Sequence, residues 1–462
     1  MYTRIDVVSA AEKAATTTIQ KDRDRFYPFF EAAERLASRE SLIVCGQSAI
    51  KMLTASDVLQ DVLQDVPQDV PLQYDFYSTR GFMMARDLAN VIYDADPEGL
   101  GHYTTLVTSI PHQHWKISVD GRPLFTVTAI PTLVKNACSV DSMPALIDPS
   151  NMLQVIRPEL ALIDIYRDLS NPALMEDFKS LWASQETLRI EFLNKLPDPN
   201  MPSAEFLARP VAEFRNKLLK NFITGYGRVI VGTSALLPDN KTSRLQIVTS
   251  NSFDNETEEV VNIAKKLGLN IGAHVVDINY PGDTRLKKLM ISVIGEGRSI
   301  TVLEVFNLAQ YELVPFKSEK LSSIKVATAF VLMRLLLVEL WASRLLKTPI
   351  PNFTNRVIHL LHTAATRLDC EANLDQILSM DFIGTAEDAE ISFKREIQIA
   401  LSVATDGKSK TYSQYMPAAA KSKQTEHLSA SYRGLSEIRF AEQKIPITFE
   451  PLSWEVLWQF LK

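Results

Sequence analysis

The chain has 462 residues, more than one hydrophobic core ordinarily organises, so two or three domains are expected. Its 46% hydrophobic and 23% charged content excludes a largely disordered chain, and a net charge of −6 excludes a surface that is basic throughout. Cys45, Cys138 and Cys370 lie too far apart to read as a disulfide framework or a zinc ligand set, which fits a reducing compartment.

The polar opening lacks the apolar stretch of a signal peptide, so secretion is not expected. Helical patterning covers 5–40, with an amphipathic series starting at Pro28. SLIVCGQSAIKML (41–53) reads as strand, glycine turn and helix, and DVLQDVLQDVPQDVP (57–71) as a low-complexity loop without chemistry. QYDFYS (73–78) predicts a strand, and 80–96 an amphipathic helix. The strands YTTLVTS, HQHWKISV and PLFTVTAI follow, the last two joined by a hairpin at Asp120-Gly121. The stretch from Asp148 to Leu196 predicts two helices, with Pro158 breaking or kinking the first, and PDPNMPS (197–203) a linker.

The second half repeats this order: a helix over 204–223, RVIVGTSAL, LQIVTSN, the helix NETEEVVNIAKKLG, the strand IGAHVVDI and the hairpin KLMISVIGEGRSITVLEV. Helices at 319–346 and 353–368 close it. The apolar run 325–346 carries Arg334, Glu339 and Arg344, so it reads as a buried helix and no membrane partner is expected. Beyond 371 the pattern weakens. The polar segment 406–427 reads as mobile, while the final KIPITFEPLSWEVLWQFLK should dock on the body.

Three pairs of segments match: GQSAI (46–50) with GTSAL (232–236), KISVDG (116–121) with MISVIG (290–295), and FTVTAI (125–130) with ITVLEV (300–305). They predict two copies of one supersecondary plan in an α/β (α+β) protein with flanking helices. The expected division is 1–40, N-terminal helices; 41–196, a first domain; 197–370, a second; and 371–462, a partly mobile segment. The plan resembles that of nucleotidyltransferases. There a glycine turn lets main-chain amides approach a triphosphate, and carboxylates on neighbouring strands hold two magnesium ions.

CGQSAIKML, QYDFYS, FTVTAIPTLVKN and LIDPSNMLQVIRPELALIDIYRDLSNP resemble, in order and spacing, the catalytic poly(A) polymerases of poxviruses, African swine fever virus and the giant viruses. The resemblance covers about 28–196. It implies two tandem nucleotidyltransferase-like domains, the second inactive, with Gly46, Gln47 and Ser48 at the nucleotide and Asp75 as catalytic acid and metal ligand. It also marks departures: Gln47 replaces a second glycine, and Gln73 and Thr126 replace two of the three acids. One carboxylate does not neutralise two hard cations. The expectation is therefore a degenerate paralogue, acting as a subunit, an RNA-holding protein or a virion structural protein. The alternative is an active adenylyltransferase using ATP and Mg²⁺. Implied partners are a second copy, a paralogous polymerase subunit, RNA or virion proteins, in the virion or host cytoplasm.

In the second copy LQIVTSN has no acid, Thr301 is aligned with Thr126, and Glu304 reads as an ordinary strand residue. His112 with His114, and His359 with His362, are read as structural, since no third ligand is visible beside either pair. Gly295-Glu296-Gly297-Arg298-Ser299 lacks the lysine of a phosphate-binding loop and is placed in a hairpin. Lys408, Lys410, Lys421, Lys423 and Arg433, with Tyr412 and Tyr415 among them, could contact RNA, but a solvated tail is preferred.

Overall fold

The computed structural model describes residues 25–54, 73–95, 105–109, 114–119, 122–170, 178–197, 208–237, 244–278, 285–295, 298–318, 324–345, 351–371, 380–384 and 414–415. The loop 57–71, His112, Asp120-Gly121, most of the 197–203 linker, the basic tail apart from Tyr415 and the C-terminal stretch lie outside these residues.

The first unit opens with α1 (25–40), β1 (Ile43–Cys45), α2 (Gly46–Thr54), β2 (Tyr74–Ser78) and α3 (Gly81–Asp94). It continues through β3 (Thr105–Ser109), β4 (His114–Val119), β5 (Arg122–Ala129), the short α4 (Lys135–Cys138), β6 (Ser139–Pro144) and β7 (Met152–Ile156). The second contains α5 (Pro158–Ser170), α6 (Phe178–Asn194), α7 (Arg209–Lys217), β8 (Arg228–Ile230), α8 (Gly232–Leu236), β9 (Leu245–Thr249) and α9 (Phe253–Lys265). After these come β10 (Ile271–Asp277), β11 (Lys287–Gly295), β12 (Arg298–Phe306), β13 (Leu313–Ser318), β14 (Lys325–Ala327), α10 (Ala329–Leu345), α11 (Pro351–Glu371) and β15 (Asp381–Gly384). β16 (Gln414–Tyr415) returns to the first unit, where it pairs with β3.

Each unit is built on an eight-stranded sheet, ordered β16-β3-β4-β5-β2-β1-β7-β6 in the first and β10-β11-β12-β9-β8-β14-β13-β15 in the second. Removing β16 and β15, one added strand at an edge of each, leaves the same order. The senses agree as well: β2 is parallel to β5 as β9 is to β12, and β1 to β7 as β8 to β14. The duplication expected from the glycine turns is therefore present. It extends past the hairpins into β6 and β7, matched by β13 and β14; β7 and β14 fall within the stretches 148–196 and 319–346 expected to be helical, and β6 and β13 just before them.

Pro158 does not break a helix; it opens α5, where a missing N–H costs nothing, directly after β7. The expected boundary near 196 is not where the units divide, because α5 and α6 belong to the second unit. Tyr166 donates to Gln185 Oε1 at 3.0 Å, the ring of Trp182 meets Phe330 edge-on at 5.9 Å, and Arg189 Nη2 reaches Asp369 Oδ1 at 2.7 Å. These contacts tie α5 and α6 to α10 and α11.

Alternating side chains fill the cores. In the first unit Phe30, Tyr74, Phe76 and Phe125 cluster, with Tyr74 and Phe76 stacked at 5.5 Å. Fully buried Glu34 accepts the Ile147 and Asp148 amides at 2.8 and 2.9 Å and the Tyr74 hydroxyl, tying α1 to β2 and to the approach to β7. Burial pushes its carboxyl up despite these donors. In the second unit Phe214, Phe222, Ile247, Ile291 and Leu303 lie at the centre.

The apolar run becomes α10, buried along most of its length as expected, and its described charges are paired. Arg334 grips Glu312 with two nitrogens, at 2.6 and 3.2 Å, and Glu339 turns toward the sheet. Among the described residues no helix is long and apolar enough to cross a membrane.

Candidate functional site

β1 ends at Cys45, and Gly46 turns the chain into α2 with φ +64°. That backbone favours glycine, and a second reason is space: a Cβ there would fall within 3.0 Å of Asp75 Oδ2. Half-buried Gln47 follows. The Ser48 hydroxyl is buried and donates to the main-chain oxygen of Gln73, so it fastens α2 to the start of β2.

Because β2 lies between antiparallel β1 and parallel β5, Cys45, Asp75, Thr126 and Lys116 form one row across four strands. Asp75 and Thr126 are direct neighbours, and Gln73 Nε2 approaches Asp75 Oδ1 in a long 3.4 Å contact. The structure thus brings Gly46, Gln73, Asp75 and Thr126 together. It adds exposed Lys116, which strand alternation in KISV did not distinguish from any surface lysine.

The matching row in the second unit is Gln246, Glu304, Met290 and His274. This corrects the alignment made by motif: the counterpart of Thr126 is Glu304, not Thr301. Thr301 lies opposite Ser292, beyond a bulge in the β11/β12 pairing, with their hydroxyls 3.1 Å apart. Nor is Glu304 an ordinary strand residue. It is fully buried and accepts from Arg244 Nη1 at 2.7 Å and Gln246 Nε2 at 2.8 Å, with Lys288 Nζ 3.5 Å away. Glu339 of α10 completes the group, 3.0 Å from Gln246 Nε2 and 3.6 Å from Lys288 Nζ.

Arg244 stands where Gln73 does, two residues before the strand position that faces the turn. Arg-x-Gln in place of acid-x-acid was the one local sign that cations occupy this site. Burial alone would raise the Glu304 carboxyl, but Lys288 and Arg244, with the Gln246 hydrogen bond, hold it below its ordinary value. Burial dominates at Glu339 and pushes its carboxyl up.

The glycine turn repeats in detail. Gly232 has φ +56°, and a Cβ there would fall within 3.0 Å of Gln246 Oε1. That oxygen accepts the Thr233 amide at 2.7 Å and its hydroxyl at 3.0 Å. Ser234 donates to the Arg244 carbonyl at 3.1 Å, as Ser48 does to Gln73.

The donors present do not fit a two-magnesium centre. Among the described residues no three His, Cys, Asp or Glu side chains gather as a metal would require. His114 lies on β4, and His359 and His362 on α11. The Gly295–Arg298 hairpin forms as expected between β11 and β12.

No family model matches the chain. It is similar to the uncharacterized protein K421R of African swine fever virus. Identity is 28% over 373 residues for the Tick/Malawi isolate, covering 78% of this chain and 85% of that protein. The Warthog/Namibia protein is likewise 28% identical, over 375 residues. Among solved structures it is similar to the Megavirus polyadenylate synthase, with a TM-score of 0.66 and 14% identity over 92% of this chain and 88% of the other. At that identity the likeness is one of fold: the chain has two-sheet mixed α/β architecture similar to that structure's, and the two sequence relatives named are viral proteins.

Proposed function

We propose that this chain is a poly(A) polymerase-like viral protein that does not transfer nucleotides. It serves as a subunit that holds RNA or pairs with a polymerase chain or a second copy, in the virion or host cytoplasm. The observation that supports this reading is the row at the first turn, where Thr126 lies beside Asp75 and Gln73 extends its amide toward the same carboxylate. Two-metal catalysis stabilises both attacking and leaving oxygens and needs more negative charge than one aspartate supplies. The second site supports it too, since Arg244 and Lys288 already neutralise its acids.

Retained Asp75 beside the positive-φ Gly46 favours the competing reading, an active adenylyltransferase. Extension of an RNA primer by the purified chain, with ATP and Mg²⁺ or Mn²⁺, decides between them. No growth above an enzyme-free control is expected. Growth that disappears in Asp75→Asn would establish the active reading.

A further inference from the structure

We infer that Asp75 is retained as the internal oxygen that fills the first glycine turn, a positioning residue for α2 and not a metal ligand. The inference deepens the non-catalytic reading and rests on it.

A strand that turns directly into a helix leaves the first helical amides without main-chain acceptors, and these amides also draw anions. In the second unit the missing acceptor is a side chain of the neighbouring strand. Gln246 Oε1 takes the Thr233 amide and hydroxyl, and its Nε2 is anchored by Glu304 and Glu339. Asp75 occupies the same place in the first unit: its strand position matches, the glycine before it has the same left-handed backbone, and Oδ2 crowds the would-be Cβ as Gln246 Oε1 does. The other oxygen, Oδ1, faces the Gln73 amide nitrogen. Both carboxylate oxygens thus face the chain's own groups, and a phosphate oxygen entering at the turn would meet Oδ2.

The pattern of loss follows from this role. Where the resemblance implies three acids, the first unit keeps only the one against the turn. The second unit keeps its acid on the adjacent strand and meets the turn with a neutral amide. What the two turns share is an oxygen acceptor, not a charge.

The test compares wild type, Asp75→Asn and Asp75→Ala by thermal melting and by hydrogen exchange of the α2 amides, with Asp75→Ser in reserve should the alanine variant not fold. Asparagine retains an acceptor oxygen, as Gln246 does, so its melting temperature should stay within about 1 °C of wild type, and alanine or serine should lose about 2–4 °C with faster exchange in α2. Inorganic phosphate, against chloride at equal ionic strength, should recover part of the loss in Asp75→Ala or Asp75→Ser and leave wild type unchanged, because the anion enters the vacated space. Equal losses for asparagine and alanine, no recovery with phosphate, or a Mn²⁺-dependent rise in wild type that Asp75→Asn abolishes would each overturn the inference. Primer extension by wild type that disappears in Asp75→Asn would instead defeat the non-catalytic reading, whatever the order of melting temperatures; extension insensitive to the substitution would belong to a contaminating enzyme.

Discussion

The two sites share a glycine turn, a serine that fastens the helix to its strand, and a strand residue lodged against the glycine, yet they treat charge in opposite ways. In the first, Asp75 has uncharged Gln73 and Thr126 beside it, and exposed Lys116 lies one strand further out. In the second, two buried acids are matched by Arg244 and Lys288, and α10 contributes one of the acids. On the proposed non-catalytic reading, a scaffold shaped to gather cations loses them by two routes. One removes the acids; the other supplies cations from the chain itself. The second route makes the site part of the core, because a buried acid deprived of its partner is costly.

The largest expected effect separates these routes. Glu304→Ala leaves Arg244 and Lys288 facing each other without their shared acid and should cost about 3–5 kcal/mol. Thr126→Ala, at the equivalent place, should cost about 1 kcal/mol or less. Urea unfolding of both variants measures this, and equal losses would break the comparison.

Next come the turns. Gly46→Ala and Gly232→Ala each force a Cβ against a side-chain oxygen on a left-handed backbone, a loss of about 1–3 kcal/mol apiece. Here the sites should behave alike. A tolerated Gly46→Ala beside a damaging Gly232→Ala would show that Asp75 moves aside where the anchored Gln246 does not.

A smaller effect lies in the pH dependence. Glu304 is held below its ordinary 4.5, so its contribution is present above that value and is lost as pH falls through the lowered one. Glu339 is raised, so the folded chain takes up its proton first, and stability from this group falls as pH rises past 4.5. Glu304→Gln should therefore flatten the acid side of a stability-against-pH curve, while Glu339→Gln should remove a decline toward neutrality and cost less at pH 7. The reverse order would mean that the acids have exchanged roles.

The smallest expected effect comes from rebuilding the first site. Gln73→Asp with Thr126→Asp places three carboxylates together, which repel one another without a cation. Mn²⁺ should raise the melting temperature of this variant by a few degrees and leave wild type unmoved. Nucleotide transfer is not expected to return with it, since Gln47 still stands at the second glycine position.

Much of the fold was legible because its signals are local. GQSAI and GTSAL announce a strand turning into a helix whatever surrounds them, and paired alternating segments around glycine announce the hairpins. β7 was not legible, since MLQVI runs straight into Pro158 and a good helical face, and a five-residue strand at that junction is recognised only once β1 lies beside it. At the site, residue identities sufficed to show that the implied acids are missing from the first copy. They did not locate Glu304 at the position that matches Thr126.

The sequence by itself determined the duplication, the two glycine turns and the shortage of carboxylates around Asp75, because these depend on residue type and short spacing. Only the tertiary structure decided that Glu304, not Thr301, answers Thr126, that Arg244 and Lys288 pair with it, and that α5 and α6 pack in the second unit. The reason is physical. Strand register depends on which edges meet and on a bulge between Ile291 and Ser292, and a buried ion cluster drawn from β9, β11, β12 and α10 exists only after elements up to 93 residues apart have been packed together.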